Sequence, residues 1–250
     1  VNNEVHGLLD LQRAGEICAA KGALFHTDAA QALGAVPLNV RRMRIGLMSL
    51  SAHKIYGPKG VGALYVAREL QPLVRPLIVG GGQQRNLRAG TLPTALIVGM
   101  GKACERARSV LDSEAPRLVR LAQRFLQLLS NLDIDYRLIG PSRLEQRRPG
   151  SLCISIEGLD GTKLCEWMPD VAISQGSACN SQGVGSHVLR ALGLSVAEAR
   201  SVIRIAFGKF NNESDVSYVV ERLAIILEQG RRAGQHKGTK SSAEPQLLAV

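Results

Sequence analysis

Aromatic residues are scarce: four Phe, four Tyr and one Trp supply only 4% of the chain. That leaves little material for the stacking platforms that hold single-stranded nucleic acid. Cysteine is present but unpatterned. Cys18, Cys104, Cys153, Cys165 and Cys179 are odd in number and widely spaced, with no C-x-x-C pair. This argues against a disulfide framework or a structural zinc site, and for a reducing compartment. No apolar run reaches the ~18 residues of a membrane-spanning segment. The first residues lack the build of a signal peptide, and the phosphate-loop pattern G-x-x-x-x-G-K-[ST] does not occur. An initiating Met is also missing: VNNEV reads as the middle of something, so the expectation is that an N-terminal portion is absent or was removed.

What is there is ordinary in bulk. The 250 residues are 45% apolar and 21% charged, which fits one large domain or one domain plus a smaller one. The net charge of +10 is scattered, with clusters at Arg41, Arg42 and Arg44, at Arg147 and Arg148, and at Arg231 and Arg232. Scattered charge does not make a nucleic-acid stripe; an anionic cofactor or an acidic partner asks for no more.

Apolar spacing predicts a helix over residues 8–20, then short strands at 23–27, 45–51 and 61–67, with a turn or helix start at DAAQALG and a GPKG turn at 57–60. This alternation argues for α/β organisation. A glycine- and arginine-rich loop (80–91) leads into a helix with Pro93 in its first turn, and helical periodicity resumes over 115–130. Strands follow at about 134–139 and 151–156. Ser186 caps a helix at about 187–193, stopped by Gly193. A strand at 202–207 and a helix at 213–229 complete the ordered part. Residues 231–250 read as a mostly disordered basic tail. The expected domains are 1–115, 116–230 and that tail.

Two places carry chemistry. Asp28 follows one strand; Ser51, His53 and Lys54 end another. Neighbouring parallel strands bring such ends together, where α/β proteins place ligands. Pyridoxal phosphate asks for this set of groups. An amine forms a Schiff base, a carboxylate keeps the ring nitrogen protonated, hydroxyl and cationic groups hold the phosphate, and a donor serves the ring oxygen. Lys54, Asp28, Ser51 with His53, and Gln31 match these roles. The plainer readings are a capping Asp, a surface Lys and a structural His. Cys179 is the second place. It lies in SQGSACNSQGVGS, a polar, glycine-rich setting unlike that of a core cysteine, and reads as exposed and reactive or as incidental. Arg204, flanked by apolar residues in VIRIAF, reads as a bidentate carboxylate clamp or as one half of a structural ion pair.

These segments together resemble the cysteine desulfurases, of the class V aminotransferase group. The resemblance covers about residues 1–229 and rests on VNNEV, FHTDAAQALG, SAHKIYGPKGVGALYV, GGGQQRNLRAGTLPT, GSACNS, SHVLRALG and IRIAFGKFNNESDV, all in family order. It implies an α/β pyridoxal-phosphate fold of type I, with part of a large domain bearing a mostly parallel sheet, and a small C-terminal α/β domain. It implies Lys54 as the Schiff-base lysine, Asp28 on the pyridine nitrogen and Gln31 on the ring oxygen. Asn3 holds the same oxygen or the substrate. Ser51 and His53 hold the phosphate, and Thr91 reaches the phosphate of the neighbouring subunit in a homodimer. Arg204 clamps the carboxylate of L-cysteine and Cys179 takes the sulfur as a persulfide, for delivery to an acceptor such as an iron–sulfur scaffold or a tRNA- or DNA-thiolation protein. No metal is implied. The setting is cytoplasmic, or mitochondrial matrix in a eukaryote. A selenocysteine lyase shares nearly all the motifs, and a non-catalytic scaffold is the alternative outside catalysis. Departures are His6, Ala52, Asn180 and the run Lys209–Asn212; His6 stands where the family has glycine, so strain is expected if that position needs positive φ. The family's glycine–threonine phosphate loop and ring-stacking histidine precede VNNEV and are not among these residues. The 250-residue chain alone is therefore expected to bind the cofactor poorly.

Overall fold

The computed structural model describes residues 1–174 and 186–238. The chain divides into two compact units, residues 1–117 with 143–149, and residues 118–142 with 150–250.

In the first unit, helix α1 (Leu11–Ala20) starts where Asp10 accepts the Arg13 N–H, satisfying one of the open donors of a helix start. Strands β1 (His26–Asp28), β2 (Leu47–Ser51) and β3 (Gly62–Val66) form one sheet in that order. β1 and β2 run parallel, with Asp28 opposite Ser49. β3 returns antiparallel, with Gly62 opposite Ser51. Ala29, Ala32, Ile45 and Met48 form a buried cluster packed by Leu11, Phe25 and Met43. DAAQALG is a turn; Ala32 and Leu33 N–H both donate to the Ala29 carbonyl.

Helix α2 (Thr94–Asn131) is a single element, although Pro116 removes one ladder hydrogen bond. The two helical stretches read at 94 onward and at 115–130 are thus continuous. The boundary between the units falls just beyond Pro116, between Arg117 and Leu118.

The second unit holds an antiparallel sheet of β4 (Tyr136–Leu138), β5 (Ser151–Ile156) and β6 (Val202–Ala206), with β5 central. β5 is buried along nearly its whole length, as a strand covered on both faces must be. Short helices α3 (Leu164–Trp167), α4 (His187–Ala191) and α5 (Val196–Arg200) precede β6. Ser186 caps α4 by accepting the Leu189 N–H, and Ser195 with Glu198 closes a capping box on α5. Helix α6 (Glu213–Gly238) buries Val216, Val220, Leu223 and Leu227 as one stripe. It runs through Gly230, beyond the expected end at 229; an interior glycine costs a helix only about 1 kcal/mol. The Phe125 and Phe207 rings meet at 6.1 Å between centroids.

Candidate active site

The turn that carries Lys54 is built by burial of its neighbours. After β2 the chain makes a 3₁₀ turn, Ala52–Ile55. Residues three apart in such a turn share a face. Ala52 and Ile55 are buried, which leaves His53 and Lys54 exposed on the other side. Tyr56 ends the turn in the left-handed region at φ 64°. The Gly57 N–H then donates to the Ala52 carbonyl at 2.9 Å. A Cβ on Gly57 would lie 2.9 Å from that oxygen and 3.1 Å from Ala103 of α2, so α2 backs the turn at van der Waals distance.

The turn after Asp28 packs on the same support. Gly34 has φ +69°, and a Cβ there would lie 2.9 Å from Ile55 and 3.1 Å from Ala107. The DAAQALG turn and the Lys54 turn are therefore packed against each other and against one face of α2. Parallel pairing sets Asp28 opposite Ser49, and β2 continues two residues further to Ser51. Asp28 and Lys54 thus emerge at the same end of adjacent strands. One Asp28 oxygen accepts the Ala30 N–H at 2.8 Å; the other has no hydrogen-bond partner among the described residues. The Lys54 ammonium is exposed and makes no ion pair or hydrogen bond among them. The Ser51 hydroxyl and His53 Nδ1 share a hydrogen bond of 2.9 Å, and His26 Nε2 and the Ser49 hydroxyl share one of 3.0 Å on the strands behind.

The VNNEV segment lies in the same unit. Asn2 shapes it, accepting the Glu4 and Val5 N–H groups at 2.8 and 2.9 Å, and Asn3 is exposed in the turn that results. His6 has φ 58°, the left-handed backbone expected of a glycine position. Histidine tolerates that region better than most residues, at a cost of order 1 kcal/mol. Gln31 is half-buried and Thr91 exposed in the loop before α2.

Arg204 belongs to the second unit. It sits mid-strand on β6 opposite Cys153, half-buried. Its backbone N–H donates to the Ser174 carbonyl at 2.8 Å and its Nε to the Ser174 hydroxyl at 3.2 Å. Neither contact was legible in the sequence. Cys179 lies outside the described residues. The described structure therefore gathers Asp28, Gln31, Ser51, His53 and Lys54 on one pair of packed turns. Asn3 and Thr91 share that unit, and Arg204 is carried by the other.

The donor set on the first unit fits pyridoxal phosphate. Among the described residues it offers an amine without a partner, a carboxylate with one oxygen open, and a hydroxyl–imidazole pair for an anion.

The chain belongs to the class-V aminotransferase family, whose family model matches residues 1–219. It is 43% identical over 224 residues to a protein named cysteine desulfurase from Rattus norvegicus, covering 89% of this chain and 49% of that one. It is 41% identical over 232 residues to cysteine desulfurase IscS of Rickettsia felis, covering 92% of this chain and 56% of that one. A solved NifS-like protein superposes with a TM-score of 0.80 at 33% identity, over 91% of this chain and 59% of its own. The fold is thus that of the NifS-like, type I pyridoxal-phosphate proteins, and the chain spans about half the length of the relatives it matches.

Proposed function

We propose that this chain carries the lysine, ring-binding and sulfur-accepting groups of a cysteine desulfurase, acting on L-cysteine with pyridoxal 5'-phosphate. The observation that carries the reading is the pairing of Asp28 and Lys54 at the same end of adjacent parallel strands, in a chain whose relatives bear that name.

The cofactor, when bound, supplies an electron sink for a carbanion. Asp28 keeps the ring nitrogen protonated, with its turn locked by the Ala30 N–H. Gln31 and Asn3 serve the ring oxygen, and Ser51 with His53 holds the phosphate. Lys54 would move the α-proton of L-cysteine, as base and then as acid. Arg204 takes the substrate carboxylate, a task suited to the planar guanidinium fork. The Cys179 thiolate attacks the substrate sulfur. The carbon–sulfur bond breaks as a sulfur–sulfur bond forms, so that L-cysteine and the Cys179 thiol become L-alanine and a Cys179 persulfide. Thr91 serves the phosphate of a second subunit in a homodimer. The persulfide passes to an acceptor, an iron–sulfur scaffold or a thiolation protein, in the cytoplasm or mitochondrial matrix.

Incubation with pyridoxal phosphate, L-cysteine and a thiol reductant tests this. Alanine and sulfide are expected in equal amounts. Cys179→Ser abolishes both while borohydride-trapped labelling of Lys54 is unchanged, and Lys54→Ala abolishes that labelling. Alanine release that survives Cys179→Ser contradicts the proposed sulfur route.

A further inference from the structure

One short segment of the chain leaves its sequence neighbours. Residues 143–149 lie between β4 and β5, yet they belong to the first unit and not to the unit of either strand. The strap is sewn by backbone to residues 6–8, directly after VNNEV. Arg147 pairs with Gly7 in an isolated antiparallel bridge. The Leu8 N–H donates to the Gln146 carbonyl at 2.8 Å and the Arg148 N–H to the His6 carbonyl at 2.9 Å. Arg147 is only 1% exposed and gives an N–H to the Val5 carbonyl at 3.2 Å.

Arg148 reaches further. Its Nε donates to the Gln31 carbonyl at 3.0 Å. Burial pushes this guanidinium below its ordinary value, while the Coulombic influence of Tyr56 raises it. Tyr56 is the residue that ends the Lys54 turn. One arginine therefore holds His6, next to the VNNEV segment, through its backbone and the Gln31 turn through its side chain, with the end of the Lys54 turn within electrostatic reach. A hydrogen bond from a cation is among the stronger single contacts a protein makes, and guanidinium remains charged where an amine would not.

We propose that Arg148 is a positioning residue for the cofactor site, fixing the Gln31 turn and the Asn3 segment relative to each other from the 143–149 strap. The inference rests on the proposed function. It adds a residue with no part in the chemistry, whose loss is felt as looser placement of groups that do take part.

The test traps transiently bound cofactor. The 250-residue chain is incubated with graded pyridoxal phosphate, reduced with borohydride, and the pyridoxyl-lysines are mapped by mass spectrometry, with Lys59 as the neighbouring exposed reference. In Arg148→Met the concentration that half-saturates Lys54 is expected to rise by about tenfold, the size of losing one charge-assisted hydrogen bond. Arg148→Lys, which keeps a cationic donor, is expected to recover most of this, and circular dichroism to be unchanged in both variants. Unaltered Lys54 trapping in Arg148→Met overturns the inference and leaves the proposed function standing. Equal weakening in both variants, together with a fall in thermal midpoint, also overturns it, because that is a stability effect. If the unmutated chain shows no preference for Lys54 over Lys59, the functional reading fails and the inference fails with it.

Discussion

Asp170 and Tyr218 carry a pH signature that belongs to single residues. The Tyr218 hydroxyl donates to the Asp170 carboxylate. This bond is the main cause that lowers Asp170 from its ordinary 3.8, and the main cause that raises Tyr218 from its ordinary 10.0. A carboxylate with a depressed folded value contributes stability above its unfolded value, lost as pH falls through the folded one. A phenol with a raised folded value contributes below its unfolded value, lost as pH rises through the folded one. The contact therefore contributes in full between pH 3.8 and 10.0, and its contribution is lost only beyond that window, as pH passes the lowered Asp170 value on the acid side and the raised Tyr218 value on the alkaline side. Tyr218→Phe should lower the thermal midpoint by a constant small amount across that window, and the difference from the unmutated protein should shrink as pH moves beyond either end. A difference that stays constant as pH is lowered below 3.8 and raised above 10.0 would assign the effect to packing alone. The same scale shows what a sequence hides. Asp28 and Lys54 were legible because each comes shortly after an apolar run in the sequence, although β1 itself is His26–Asp28 and ends on Asp28. Arg148 and Ser174 were not, because their partners Gln31 and Arg204 are 117 and 30 positions away, and no local pattern marks such a pair.

The elements that position the site are short turns held by close packing. Gly34→Ala tests this packing, since the change places a left-handed backbone on an alanine and a methyl group 2.9 Å from Ile55. Strain and overpacking together should cost about 2–4 kcal/mol, read as a lower urea midpoint with an unchanged slope. A neutral result would mean that the two turns are not packed as described. Strands β2, β5 and β6 follow their apolar runs closely, β5 to the residue. Helix α2 did not read as one element, because Pro116 is an intrinsic breaker; amphipathic sequence on both sides outweighs it here. Helices α3 and α5 were not foreseen, since four or five residues span too little of a helical period to register. α5 did leave a signal in Ser195 and Glu198, the ends of a capping box.

For the whole molecule, the two units divide the proposed labour. The first carries Asp28, Ser51, His53 and Lys54, and the second carries Arg204; Cys179 lies outside the described residues. The order of the proposed groups along the chain was legible, because the motifs occur in family order. The return of residues 143–149 to the first unit was not, since the bridge from Gly7 to Arg147 joins distant segments through backbone alone. Because the chain spans about half the length of its relatives, cofactor bound to the 250-residue chain should be substoichiometric and lost on dialysis, and a trapping readout suits it better than absorbance. The measurement that bears most directly on the central claim is the distribution of pyridoxyl-lysine after borohydride reduction of the unmutated chain. The account predicts saturable labelling at Lys54 that exceeds Lys59 and is lost in Asp28→Ala; labelling spread evenly over exposed lysines, or unchanged in Asp28→Ala, would contradict it.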